Sequence, residues 1–127
     1  MNREIKLIIK GFLEQLKDVE FFSKTEFIIL YGSSLSSYHL DDSDVDICIY
    51  IDEEKKKLPK IRLDLLKKFN EKLDIQIFQL LPLYVQIEVL KGEILYVKEK
   101  ARLYEIADET IEEYEDFYPL YLDYINR

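Results

Sequence analysis

Eight consecutive residues, Asp44 to Ile51, alternate so regularly that they leave little choice of local structure. Val45, Ile47, Ile49 and Ile51 fall on one side, while Asp44, Asp46, Cys48 and Tyr50 fall on the other, the period of a β-strand. A strand with four β-branched aliphatics on one face belongs in a sheet that covers that face, and this fixes its register. Other strand-like segments accompany it. Phe27-Ile28-Ile29-Leu30-Tyr31 is a continuous apolar run ended by Gly32 and reads as a short buried strand. Leu73 to Leu80 alternates again, with Asp74, Gln76 and Phe78 on one side and Ile75 and Ile77 on the other. Glu93 to Val97 is a brief extended piece.

Helical periodicity fills the intervals. Over residues 3 to 18, Ile5, Ile8, Ile9, Phe12, Leu13 and Leu16 recur at three- and four-residue spacing and form one apolar stripe. Ser33 to Tyr38 suits a helix start directly after a strand. Asp52 to Lys57 reads as a charged turn, followed by a helix over about 59–72 with Ile61, Leu65, Leu66 and Phe69 inward. Leu83 to Leu90 reads as a short helix with Gly92 as its C-cap. A last helix is expected from Lys100 through Tyr118, where Pro119 should kink or end it. The pattern predicts an α/β (α+β) fold with a small mixed sheet flanked by helices. At 127 residues it is expected to be one domain over 1–127, with a core of about 5–97 and a tyrosine-rich helical segment over about 99–127.

Charge and cysteine content narrow the function classes. The formal net charge of −8 repels a phosphate backbone and offers no counterion-release term, so direct nucleic-acid binding is not expected. An acidic surface suits a basic protein partner instead. The single cysteine, Cys48, cannot form an internal disulfide, and there is neither a signal-like N-terminus nor an apolar run of about 18 residues. The expectation is a cytoplasmic protein without a membrane segment.

Candidate chemistry lies in Gly32-Ser33, ten further residues, and then Asp44-Val45-Asp46. Gly32 permits a sharp turn and a close approach by a ligand. Ser33, at a helix start, would add a hydroxyl to backbone N–H groups that attract an anion. Asp44 and Asp46, two apart on a strand, point the same way about 7 Å apart, and Asp74 adds a third carboxylate in phase on another strand. Hard divalent cations take such oxygen ligands, and two-metal sites use carboxylates to bracket the ions. Alone, a Gly-Ser pair is a turn and an Asp-x-Asp a solvated strand end. Together they interrupt an otherwise strongly apolar strand, which favours a site.

On Tyr31-Gly32-Ser33, Asp44-Val45-Asp46-Ile47 and Leu73-Asp74-Ile75-Gln76-Ile77, the chain resembles the minimal nucleotidyltransferases of the polymerase-β-like superfamily, over roughly residues 5 to 97. The resemblance implies Asp44 and Asp46 as metal ligands, Asp74 as third ligand or general base, and Gly32 and Ser33 as the phosphate-binding pair. It also implies Mg²⁺, two ions, with ATP as nucleotide donor. Family members of this size commonly act as antitoxins beside a HEPN ribonuclease toxin, moving AMP to a toxin tyrosine. After Gly-Ser many relatives carry a small residue, then Arg or Lys, then Gly. Here Leu35, Ser36 and Ser37 stand there, so the usual basic contact to the triphosphate is absent from its place.

Other residues have plainer readings. His39, the single histidine, lies in the loop before Asp44 and reads as solvated, while Asp41 and Asp42 shape that loop. Cys48 reads as a small buried filler, and Lys55-Lys56-Lys57 as a solvated turn. Tyr104, Tyr114, Phe117, Tyr118, Tyr121 and Tyr124 are interspersed with acidic residues. They either pack onto their own domain or form aromatic anchors for a partner. The readings in competition are therefore a protein adenylyltransferase antitoxin, a non-catalytic antitoxin that neutralises by binding, and transfer to a small molecule or RNA.

Overall fold

The computed structural model describes residues 3–32, 45–69 and 71–125, with side chains as far as residue 120. Its sheet has four strands in the order β3-β2-β1-β4, where β1 is Thr25–Tyr31, β2 Val45–Ile51, β3 Leu73–Ile77 and β4 Glu93–Val97. Strand β1 runs antiparallel to β2 and β4, and β2 runs parallel to β3, so the sheet is mixed as expected. The central β1 is buried along nearly its whole length, which accounts for its continuous apolar run.

The two faces carry separate cores. Val45, Ile47, Ile49 and Ile51 join Ile28, Leu30, Leu73, Ile75 and Ile77 on one face. Helices α1 (Arg3–Leu16) and α2 (Leu58–Lys68) cover it with Ile5, Ile9, Phe12, Leu16, Leu58 and Leu65. Truncating such a fully buried aliphatic to alanine costs roughly 2–5 kcal/mol. On the other face Phe27, Ile29, Tyr31, Cys48 and Phe78 meet Val89 of α3 (Leu83–Leu90) and Leu103 and Ile106 of α4 (Lys100–Ile125). Cys48 is fully buried there, a small apolar filler as its position on the strand suggested. The Lys55–Lys57 segment is an exposed 3-10 turn.

Four expectations need correction. The helix expected over 59–72 ends at Lys68. Phe69 turns to extended backbone and packs its ring edge-on against Phe12, with centroids 4.8 Å apart. The strand expected to reach Leu80 ends at Ile77, and a 3-10 turn over Phe78–Leu80 follows. Gly92 is not a left-handed C-cap, since Gly32 alone has a positive φ among the described residues. Gly92 is needed instead because a Cβ there would overlap the Leu30 carbonyl oxygen and crowd Ile29. Finally, α4 runs through Pro119 to Ile125. Proline removes one N–H bond and displaces the carbonyl four residues back, but the outer turns near it are exposed, so water can satisfy what is lost. Among the described residues no helix is long and apolar enough to cross a membrane.

Candidate active site

The site residues gather where β1 ends and β2 and β3 begin. Parallel pairing opens with the Val45 N–H donating to the Lys72 carbonyl at 2.8 Å. That bond sets the register in which Asp46 lies directly opposite Asp74. Neighbouring strands are about 4.8 Å apart and paired residues project to the same side, so the two carboxylates are neighbours on one face. On its other side Asp46 is paired with Tyr31 of β1. Both acids are half-buried, neither turned into the interior nor fully in water.

Gly32 follows Tyr31 with a φ of 72°, a region that favours glycine. Space makes the same demand. A Cβ built on Gly32 would overlap Asp46 Oδ2. The backbone at Gly32 is thus pressed against the carboxylate, so the glycine proposed for phosphate approach and an acid proposed for metal binding are in one place. Ser33 and Asp44, together with His39, Asp41, Asp42 and the Leu35-Ser36-Ser37 stretch, lie outside the described residues. Among the described residues no group of three ligating side chains forms. The acidic trio is represented there by Asp46 and Asp74.

Three further side chains surround the pair. Gln76, two residues on from Asp74 along β3, donates from Nε2 to Asp74 Oδ1 at 3.1 Å. Arg62 of α2 donates from Nε to the Ile75 carbonyl at 2.9 Å and places Nη2 3.8 Å from the same Asp74 oxygen. Burial pushes the Tyr31 phenol well above its ordinary range; the Cys48 thiol and the Asp46 and Asp74 carboxylates add to this, and the Arg62 guanidinium opposes it. Tyr31 is therefore a neutral phenol within the electrostatic reach of both acids.

Arg62 was not singled out from the sequence, although a signal existed. It stands four residues after Leu58 and three before Leu65, both buried, so it is a charge on the apolar stripe of α2. A cation in such a place needs a built partner, here the open edge of β3 and its aspartate. Gln76 was legible as the residue in phase with Asp74.

Two half-exposed carboxylates side by side, with a bare backbone against one of them, suit a hard divalent cation bound by oxygen. Residues 9–101 match the family described as polymerase beta, nucleotidyltransferase. The chain belongs to this family. It is 38% identical over 71 residues to a protein of Methanocaldococcus jannaschii named as a protein adenylyltransferase, an alignment covering 55% of this chain. The chain spans about half the length of that curated relative, 53%. Its fold is similar to solved toxin–antitoxin chains. One is from the MntA–HepT complex, with a TM-score of 0.69 at 17% identity over 95% of this chain and 96% of that one. Another is from the complex of tri-AMPylated Shewanella oneidensis HEPN toxin with MNT antitoxin, with a TM-score of 0.69 at 18% identity over 95% of each chain. A third, from a toxin–antitoxin complex with AMP-PNP, has a TM-score of 0.71 at 17% identity over 92% of this chain and 95% of that one. At these identities the likeness is one of fold.

Proposed function

We propose that this family member is a metal-dependent protein adenylyltransferase acting as an antitoxin, which moves AMP from ATP to a tyrosine hydroxyl of a cognate HEPN ribonuclease toxin. The observation that carries the reading is the placement of Asp46 opposite Asp74 with the Gly32 backbone against the Asp46 carboxylate. The relative named as a protein adenylyltransferase and the fold shared with antitoxin chains support the acceptor class. The nucleotide complex of a fold neighbour supports ATP as donor.

In this reading Asp44 and Asp46 would hold Mg²⁺, with Asp74 as third ligand or as general base, and Gly32 and Ser33 would receive the phosphates. Bound Mg²⁺ would neutralise triphosphate charge and so make the α-phosphorus open to attack. The chain's own groups do the rest. Gly32 gives the nucleotide a backbone without a side chain to meet. As general base, Asp74 would take the phenolic proton of the acceptor tyrosine. The tyrosine oxygen forms a bond to the α-phosphorus as the bond from that phosphorus to the bridging oxygen breaks, and pyrophosphate leaves with the electron pair. Holding the two reactants in line supplies much of the rate.

The test is transfer from ATP labelled in the α-phosphate to a co-expressed HEPN partner. Asp44→Asn combined with Asp46→Asn is expected to abolish labelling with the fold intact, and persistent labelling would overturn the metal assignment. A second reading, neutralisation by binding alone, is favoured by one observation. The outer part of α4 exposes Phe117, Tyr118 and Leu120. Under that reading the double variant would still neutralise the toxin, whereas Phe117→Ala with Tyr118→Ala would not.

A further inference from the structure

We propose that Arg62 is a positioning residue for Asp74, fixing the orientation of this carboxylate from outside its own strand. The inference rests on the role given to Asp74 above. Three distances carry it. Arg62 Nε is anchored on the Ile75 carbonyl at 2.9 Å, a main-chain acceptor of β3 next to Asp74. Its Nη2 reaches Asp74 Oδ1 at 3.8 Å, and Gln76 Nε2 reaches the same oxygen at 3.1 Å.

Gln76 hydrogen-bonds this oxygen, and the Arg62 guanidinium forms an ion pair with the same one. A carboxylate tethered through one oxygen presents its other oxygen in a set direction, which is what a ligand or base requires. The guanidinium is suited to this because its planar fork can serve the carbonyl and the carboxylate at once, whereas an ammonium is a single point of charge. The exposures agree with a working contact. The side chains of Arg62 and Asp74 are 30% and 36% exposed, enough shielding for the pair to matter and enough opening for a substrate to reach it.

The experiment compares full-length wild type, Arg62→Ala, Arg62→Lys and Gln76→Leu. Mn²⁺ affinity is measured by electron paramagnetic resonance in the presence of AMP-PNP, and label transfer to the HEPN partner is measured separately. Arg62→Ala is expected to weaken Mn²⁺ binding about 10–100-fold and to lower kcat by a similar factor, with KM for ATP little changed. Arg62→Lys should recover part of both, and Gln76→Leu should move both in the same direction as Arg62→Ala. If Arg62 only ties α2 to the sheet edge, Arg62→Ala lowers thermal stability while Mn²⁺ affinity and kcat stay at wild-type values, and the proposal is wrong. Should Arg62→Ala fail to fold, the lysine and Gln76 variants decide by the same readouts. Wild type that binds Mn²⁺ in an Arg62-dependent way but transfers no label would remove the adenylyltransferase reading alone. Wild type that binds no Mn²⁺ would overturn the positioning role as well.

Discussion

Asp46 and Asp74 stand opposite each other in the parallel pair β2–β3, each half-exposed on the face that also carries Tyr31 and Cys48. Like charges placed directly across a sheet destabilise it unless something compensates. Arg62 and Gln76 do so in part at Asp74, and a divalent cation would complete the compensation.

Divalent ions are accordingly expected to stabilise the fold. Mg²⁺ or Mn²⁺ at saturating concentration should raise the melting temperature of wild type by about 10 °C, since a ligand bound at 100 times its Kd adds about 2.7 kcal/mol. Asp46→Asn should cancel that rise and reduce label transfer by at least about 10²-fold. Differential scanning fluorimetry with and without EDTA checks the first, and the labelling assay checks the second.

Gly32→Ala should damage the site more than the fold. The new methyl would meet the Asp46 carboxylate and force alanine into left-handed backbone. Strain of this kind costs about 1–3 kcal/mol. The expected outcome is a folded protein, seen by circular dichroism, with transfer reduced to background.

Alkaline stability should depend on Tyr50. Burial raises its phenol above the ordinary value of 10.0, opposed by Arg102 and reinforced by Asp52, Glu109 and Glu26. Below pH 10.0 both folded and unfolded chains keep the proton and the contribution is fully present. As pH rises further the unfolded chain ionises first, and stability is lost through the folded value. Tyr50→Phe should therefore flatten the fall in melting temperature above about pH 10.

Most of the architecture was legible because the sheet imposes a strict period. The faces of β2 and β3 follow from alternation alone, and with them the common side of Asp46, Cys48, Asp74 and Gln76. Pairing was less accessible: that Asp46 meets Asp74 depends on the bond from Val45 to Lys72, between segments far apart in sequence. Helix ends were missed where tertiary contact decides. Phe69 leaves α2 to reach Phe12, and Gly92 is demanded by the Leu30 carbonyl and not by a cap. Arg62 stands out in the sequence only as a charge on the apolar stripe of α2; its acceptor is a main-chain oxygen on another element, which no side-chain pattern reports.

The aromatic face of the last helix offers a separate test. Tyr84, Tyr114, Phe117 and Tyr118 line a cavity of about 340 Å³, with the Tyr114 and Tyr118 rings stacked at 5.3 Å. Phe117→Ala with Tyr118→Ala should leave the isolated protein within about 1 kcal/mol of wild type, yet weaken HEPN binding by 2 kcal/mol or more. Leu103→Ala, buried under the sheet, should instead cost roughly 2–5 kcal/mol of stability. Calorimetric titration and thermal melts separate the two.

Helix α4 is seated at its root and bare at its tip. Leu103 and Ile106 are buried against the second face of the sheet and Thr110 is buried above them, while residues 111–120 are mostly exposed. Beyond Ile106 the helix passes Tyr50, Asp52 and Glu53, at the end of β2 away from Asp46. A partner gripping those exposed turns would hold the domain at a distance from the two acids, so that holding and any chemistry at the carboxylates are separable by substitution.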